Sequence, residues 1–188
     1  MIHSNPALRF DHVKDLENML QKFGISTNGW QKNTEALFKE IEEADCYLEV
    51  ENNKLIRKVD VARVRCFYEN EIGEKFQLKE DKQVFSDGRE RVRKWECVSE
   101  KKHANEEPEH AALRALEEEL QIPSTNIHVI PDQDMHTTET KDSSTYKGLT
   151  SVYNFYNFSV QIPKDQYRST YEEVQPDKTT HFSWKKSD

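Results

Sequence analysis

Glycine is scarce in this chain. With only five among 188 residues, there is no glycine-rich loop to wrap a phosphate and no strained glycine turn to present a nucleophilic serine. Cysteine is scarcer still. Cys46, Cys66 and Cys97 are odd in number and lack metal-ligand spacing, so they read as reduced thiols of a cytoplasmic protein. No apolar run approaches the ~20 residues of a membrane helix, and Met1 to Phe10 lacks the apolar stretch of a signal peptide. The 27 Lys and Arg against 35 Asp and Glu give a net charge of -8. Neither bulk nucleic-acid binding nor a membrane partner is expected of such a surface. The histidines form no metal pattern: His103 and His110 bracket a helix start, and His128 sits in a predicted strand.

What is present is periodicity. Val13, Leu16, Leu20 and Phe23 follow helical spacing up to Gly24, and Leu37, Phe38, Ile41 and Ala44 repeat it after Asn33 or Thr34. These residues predict a helical extension over 1–46, ahead of a second domain over 47–188. Tyr47 to Val50 and Leu55 to Val59 flank a hairpin turn, and Val59 to Tyr68 continues as a strand with an irregularity near Ala62. Gly73 and Asp87-Gly88 turn the chain again around Phe76 to Phe85, and Arg89 to Ser99 is expected to follow as a strand. Further strands are expected at Ile127 to Ile130, Leu149 to Ile162 and His181 to Trp184. The pattern indicates an α/β protein with a mixed sheet sandwiched between helices.

The densest chemistry lies in Glu106 to Ile122, EEPEHAALRALEEELQI. Ala112, Leu113, Leu116 and Leu120 form one apolar stripe, while Glu118 and Glu119 lie off it and Arg114 sits one turn before Glu118. Pro108 suits a first helical turn and Asn105 is a candidate cap. Carboxylates fixed on one helix suit a hard cation such as Mg²⁺, which takes oxygen ligands together with water and phosphate.

This segment resembles the Nudix box, G-x5-E-x7-R-E-U-x-E-E-x-G-U with U aliphatic. Glu106, Arg114, Leu116, Glu118, Glu119 and Ile122 fall on the pattern, whereas Glu100, Ala115 and Gln121 replace its first glycine, the glutamate after the arginine and its closing glycine. The resemblance implies a Nudix-like fold and a Mg²⁺- or Mn²⁺-dependent hydrolase of a phosphoanhydride in a nucleoside diphosphate-linked small molecule. In that scheme Glu118, Glu119 and Glu106 hold the metal, and Arg114 joins Glu118 and Glu119 in the catalytic group. Ala115 removes a usual ligand, so the alternative is a Nudix-fold module that binds a small molecule or a protein without chemistry.

Two other regions complete the expected site. In an extended Arg89 to Ser99, Arg89, Arg91, Arg93 and Trp95 share one face and Val92 and Val98 the other, offering Arg91 and Arg93 to phosphate. Asp132 to Gly148 is long, polar and aperiodic, with disorder expected over Asp134 to Asp142. Ser143, Ser144, Tyr146 and Gly148 would then shape a pocket rim, with Tyr146 touching substrate. Glu139, Glu172 and Glu173 are candidates for a carboxylate contributed from outside the box.

Overall fold

The computed structural model describes residues 7–187, so the first six positions of the expected non-signal segment lie outside the described residues. Contacts divide the chain into two compact units. The first takes the chain up to Val61 together with Lys101–Glu106 and Thr137–Phe155; the second takes Ala62–Glu100, Glu107–His136 and the chain from Tyr156 onward.

In the first unit, helix α1 (Val13–Lys22) buries Leu16 and Leu20 and is followed by Gly24 at φ +68°. Helix α2 (Thr34–Glu42) is capped by Asn33, whose side-chain oxygen accepts from the Ala36 N–H at 2.9 Å. Strands β1 (Tyr47–Glu51) and β2 (Lys54–Glu69) pair antiparallel from Tyr47↔Lys58 to Glu51↔Lys54. Their turn places Asn52 and Asn53 at φ 48° and 59°, the left-handed conformation that a two-residue hairpin needs and asparagine tolerates.

The helices do not form a domain of their own. Leu16, Leu20 and Leu37 share one core with Leu48, Leu55, Val59, Tyr146 and Leu149, so the boundary expected at residue 46 falls inside a single packed cluster. One carboxylate lies within that cluster's shell. Glu40 on α2 accepts from Arg57 Nη2 at 2.7 Å, Lys32 Nζ at 2.8 Å and the Tyr146 hydroxyl at 2.9 Å. Burial alone would raise its pKa, but Lys32, Lys101 and Arg57 overcome that and hold it at about 2.

One sheet runs in the order β6-β7-β2-β3-β9-β8, with β3, β8 and β9 whole and parts of β2, β6 and β7 in the second unit. Its strands are β3 (Lys75–Phe85), β6 (Ile130–Asp142), β7 (Thr150–Gln161), β8 (Thr170–Val174) and β9 (Lys178–Lys186), with β4 (Glu90–Arg91) on β3 and β5 (Val98–Lys101) on β2. The irregularity expected near Ala62 is a change of buried parity along β2. Leu55, Arg57 and Val59 are buried before it, and Ala62, Val64 and Cys66 after it. Helix α3 (Pro108–Leu120) buries Ala111, Ala112, Ala115, Leu116 and Leu120 against Ala62, Val64, Val98, Phe158, Val160 and Phe182. Leu113, expected in that stripe, is only half-buried, and two alanines take its place. The helix starts after Glu107 rather than Asn105 and keeps Pro108 in its first turn. It ends with Gln121 at φ 55°, whose N–H reaches Glu117 O at 3.0 Å while the Ile122 N–H reaches Leu116 O at 3.1 Å. A non-glycine residue therefore adopts the left-handed closing turn in which glycine is usual.

Two expected segments differ. Arg89 to Ser99 is no continuous strand, because Lys94 at φ 57° breaks the extended backbone between β4 and β5. Val92 is consequently 64% exposed while Val98 is buried. The stretch Asp134 to Asp142, expected to be disordered, lies in β6 at the end of the strand order, and nearly every side chain of β6 is exposed. With no buried face, such a strand leaves no apolar alternation to read.

The Glu40 site makes a pH prediction. Its folded pKa lies below the ordinary glutamate value of 4.5, so its contribution is present above pH ~5 and is lost as pH falls toward 2. Unfolding free energies measured by urea titration should fall by up to roughly 3 kcal/mol over that window in wild type. In Glu40→Gln the dependence over the same window should be shallower.

Candidate functional site around helix α3

In the second unit, helix α3 places Arg114 and Glu118 one turn apart, as the spacing requires. Arg114 Nη1 lies 3.5 Å from Glu118 Oε1 and 3.4 Å from Glu100 Oε1, the residue standing where the box has its first glycine. Glu118 is largely exposed. Glu119 is half-buried, and its Oε1 accepts the Ser99 N–H from β5 at 2.7 Å. Burial is the main cause that pushes the Glu119 pKa well above the usual carboxylate value. The Ser99 N–H opposes it, the charges of Glu173 and Glu100 add to it, and Arg93 partly offsets it. Of the three outside carboxylates considered, Glu173 is thus the one whose charge reaches Glu119. Glu172 is instead paired with His181 at 3.0 Å, and Glu139 with Lys141 at 3.1 Å in the first unit.

Other expected residues sit elsewhere or are already engaged. Glu106 belongs to the first unit; its Oε2 accepts the His103 N–H at 3.0 Å and its own N–H donates to His103 O at 3.1 Å, closing a local turn. Tyr146, expected on a pocket rim, is fully buried in the first unit, where its ring meets Trp30 edge-on at 4.9 Å and its hydroxyl serves Glu40. A side chain with no exposed surface lines no rim. Arg91 donates to Gln83 Oε1 at 3.0 Å through Nε, and Arg93 grips the buried Glu80 carboxylate through Nε at 2.9 Å and also through Nη2 while lying 3.9 Å over the Trp95 ring. These two arginines tie the 91–95 segment to β3, and they are not the open phosphate fork expected from alternation. Ala115 is 0% exposed within the apolar core.

Among the described residues, no three His, Cys, Asp or Glu side chains are grouped closely enough to hold a metal ion as they stand. Glu118, Glu119, Glu100 and Glu173 nevertheless offer carboxylate oxygens in this region, the ligand type a hard cation takes together with water.

The feature missing from the sequence reading is a cavity of about 610 Å³ in the second unit, bounded by Arg63 and Arg65 of β2, Asp132 and Asp134 of β6, Asn157 of β7 and Cys97. Its volume lies in the range of small-molecule sites. The sequence did carry a signal, since Arg63 and Arg65 alternate with the buried Ala62, Val64 and Cys66 and so share the opposite face. Cys97 is a neutral thiol there: burial and the Glu119 charge push its pKa up to about 11 against the pull of Arg63, Arg93 and Arg65. It is no thiolate nucleophile at neutral pH.

The sequence matches no protein-family model and no curated protein. In structure, the chain is similar to Nudix hydrolases. A C. elegans Ap4A hydrolase binary complex aligns over 69% of this chain and 80% of its own at 15% identity and a TM-score of 0.39. RenU, a Nudix hydrolase from M. Smegmatis, aligns over 68% and 70% at 17% identity and a TM-score of 0.35. A MutT/nudix family protein from Enterococcus faecalis covers 92% of this chain and 64% of its own at 12% identity and a TM-score of 0.33. Likeness of this degree assigns no residue a role. No described helix is long and apolar enough to cross a membrane.

Glu119 supplies a second pH prediction. A carboxylate whose folded pKa is raised favours the fold below its ordinary value of 4.5 and disfavours it as pH climbs above that value. In metal-free buffer, Glu119→Gln should therefore be more stable than wild type at pH 7 to 8 and nearly equal to it at pH 4, read by urea unfolding at both.

Proposed function

We propose that the second unit is a Nudix-like site for a small molecule containing a diphosphate, of the nucleoside diphosphate-linked class, with weak Mg²⁺- or Mn²⁺-dependent hydrolysis of its phosphoanhydride. The observation that carries this reading is the gathering of carboxylate charge at the end of α3. Glu119 is anchored on the Ser99 N–H among the charges of Glu100 and Glu173, with Glu118 beside it on the helix and braced by Arg114.

In this reading Glu118 and Glu119, with Glu173 contributing charge, would hold the cation. Once bound, the cation would neutralise the diphosphate and activate a water for attack on phosphorus. Arg114 orients Glu118, and the Ser99 N–H fixes the Glu119 carboxylate. Glu106 is tied to His103 and serves the turn that precedes the helix. Phosphate contact passes from Arg91 and Arg93, which hold β3 side chains, to Arg63 and Arg65 on the cavity wall.

A second reading, a ligand-binding module without chemistry, is favoured by one observation. Ala115 occupies the box position that normally carries a further carboxylate, and here it points into the apolar core.

Calorimetric titration of Mg²⁺ and Mn²⁺ separates the two readings. Wild type should give weak heats that vanish in the Glu118→Gln, Glu119→Gln double variant. A hydrolysis screen over nucleoside diphosphate derivatives and dinucleoside polyphosphates should find metal-dependent turnover that drops at least about tenfold in Glu119→Gln. Negligible heats and no turnover in wild type would leave the binding module.

Ala115→Glu should not restore a metal ligand. With the position fully buried, an unpaired carboxylate there should cost about 3 kcal/mol or more of stability, read by urea unfolding. A variant as stable as wild type and with tighter Mg²⁺ binding would overturn that expectation.

A further inference from the structure

The cavity on β2, β7 and β6 is an organised polar surface. The Ser159 hydroxyl on β7 donates to Asp132 Oδ1 at 2.6 Å, and Asp132 Oδ2 faces Arg65 Nη2 at 3.0 Å. Asp132 is mostly buried and Arg65 is about half exposed. The hydroxyl therefore fixes a carboxylate, and that carboxylate aims a guanidinium whose other donors have no polar partner among the described residues. An aimed arginine of this kind is a ready anion anchor, because its planar fork matches phosphate oxygens.

Farther along the same strand stands Asp134. It follows Asp132 by two residues and so projects from the same face about 7 Å away. The Asn157 side-chain amide donates to the Asp134 carbonyl at 2.9 Å and pins the backbone there. The Asp134 carboxylate itself is exposed at the cavity and makes no hydrogen bond or ion pair among the described residues. Pro131, Gln133 and Glu96 also border the cavity, while the Phe158 side chain below it packs into the apolar core.

An aimed guanidinium and an unpartnered carboxylate about 7 Å from its brace describe a ligand with an anionic end and a hydrogen-bond-donating end, which in the nucleoside diphosphate class proposed above is an amino-bearing base. We propose that Asp134 is a specificity-determining residue that accepts from an amino-bearing ring edge, while Arg65, positioned by Asp132 and Ser159, holds the ligand's phosphate. The site thereby prefers an amino-substituted nucleoside diphosphate over one whose ring edge lacks the donor. This inference rests on the proposed reading of the second unit as a diphosphate site.

The test is metal-free, with EDTA present, so that it does not depend on the carboxylates of α3. Binding of ADP, of purine riboside 5′-diphosphate, which lacks the 6-amino group, and of inorganic pyrophosphate is measured by calorimetry. Wild type should bind ADP at least about tenfold more tightly than the deaminated analogue, the scale of one hydrogen bond to a charged acceptor. Asp134→Ala should bring the two within about twofold while leaving pyrophosphate unchanged. Arg65→Gln should weaken all three by about fivefold or more and preserve the ADP preference. Equal affinities in wild type, a preference that survives Asp134→Ala, or no ADP binding at all would each overturn the assignment.

Failure here is separable from failure of the functional reading. Metal-dependent turnover abolished by Glu119→Gln alongside an absent ADP preference sinks only the role of Asp134. A preference that depends on Asp134 in a protein without metal-dependent turnover sinks only the hydrolase.

Discussion

A carboxylate removed from water must be given partners or give up its charge, and the first unit is organised around that requirement. Glu40 on α2 takes donors from Arg57 on β2, from Tyr146 in the turn before β7 and from Lys32 ahead of its own helix. Each partner comes from a different stretch of chain, so the ion pair and the apolar cluster of Leu16, Leu37, Leu48 and Leu149 must form together. A slip of one residue in β2 would turn Arg57 away and leave a buried charge unpaired, which is far more costly than a lost surface contact. The network fixes register where apolar packing alone would tolerate alternatives.

Glu119 meets the same requirement in the opposite way. It has a backbone donor in the Ser99 N–H and like charges from Glu100 and Glu173, which Arg93 offsets in part. One chain thus contains a carboxylate held ionised by its neighbours and another driven toward its neutral form. The difference follows from the neighbours alone: cations surround Glu40, whereas burial and like charges surround Glu119.

Much of this was legible in the sequence. Helices α1, α2 and α3, the β1–β2 hairpin and the turns at Gly73 and Gly88 follow from spacing and from a few residues able to adopt left-handed backbone. Arg114 and Glu118 meet because four helical residues make one turn. What escaped notice has physical causes. The 91–96 segment carries a strand-like alternation, but tertiary partners on β3 capture Arg91 and Arg93 and the backbone breaks at Lys94. β6 offers no buried face to announce it. Tyr146 looked like a loop aromatic because its acceptor, Glu40, lies 106 residues away in the chain. The cavity arginines were written plainly on alternate positions of β2, yet only folding shows that Ser159 and Asp132 aim one of them.

The end of α3 shows what the close of a helix requires. Gln121 holds the left-handed turn that normally selects glycine, and the two closing hydrogen bonds still form. The chain accepts a dihedral penalty on the order of 1 kcal/mol to keep the helix pointed into Ile122. The requirement at that position is thus on conformation, not on the identity of the side chain. A backbone path can therefore be specified by its hydrogen bonds even where the residue that most easily follows it is absent.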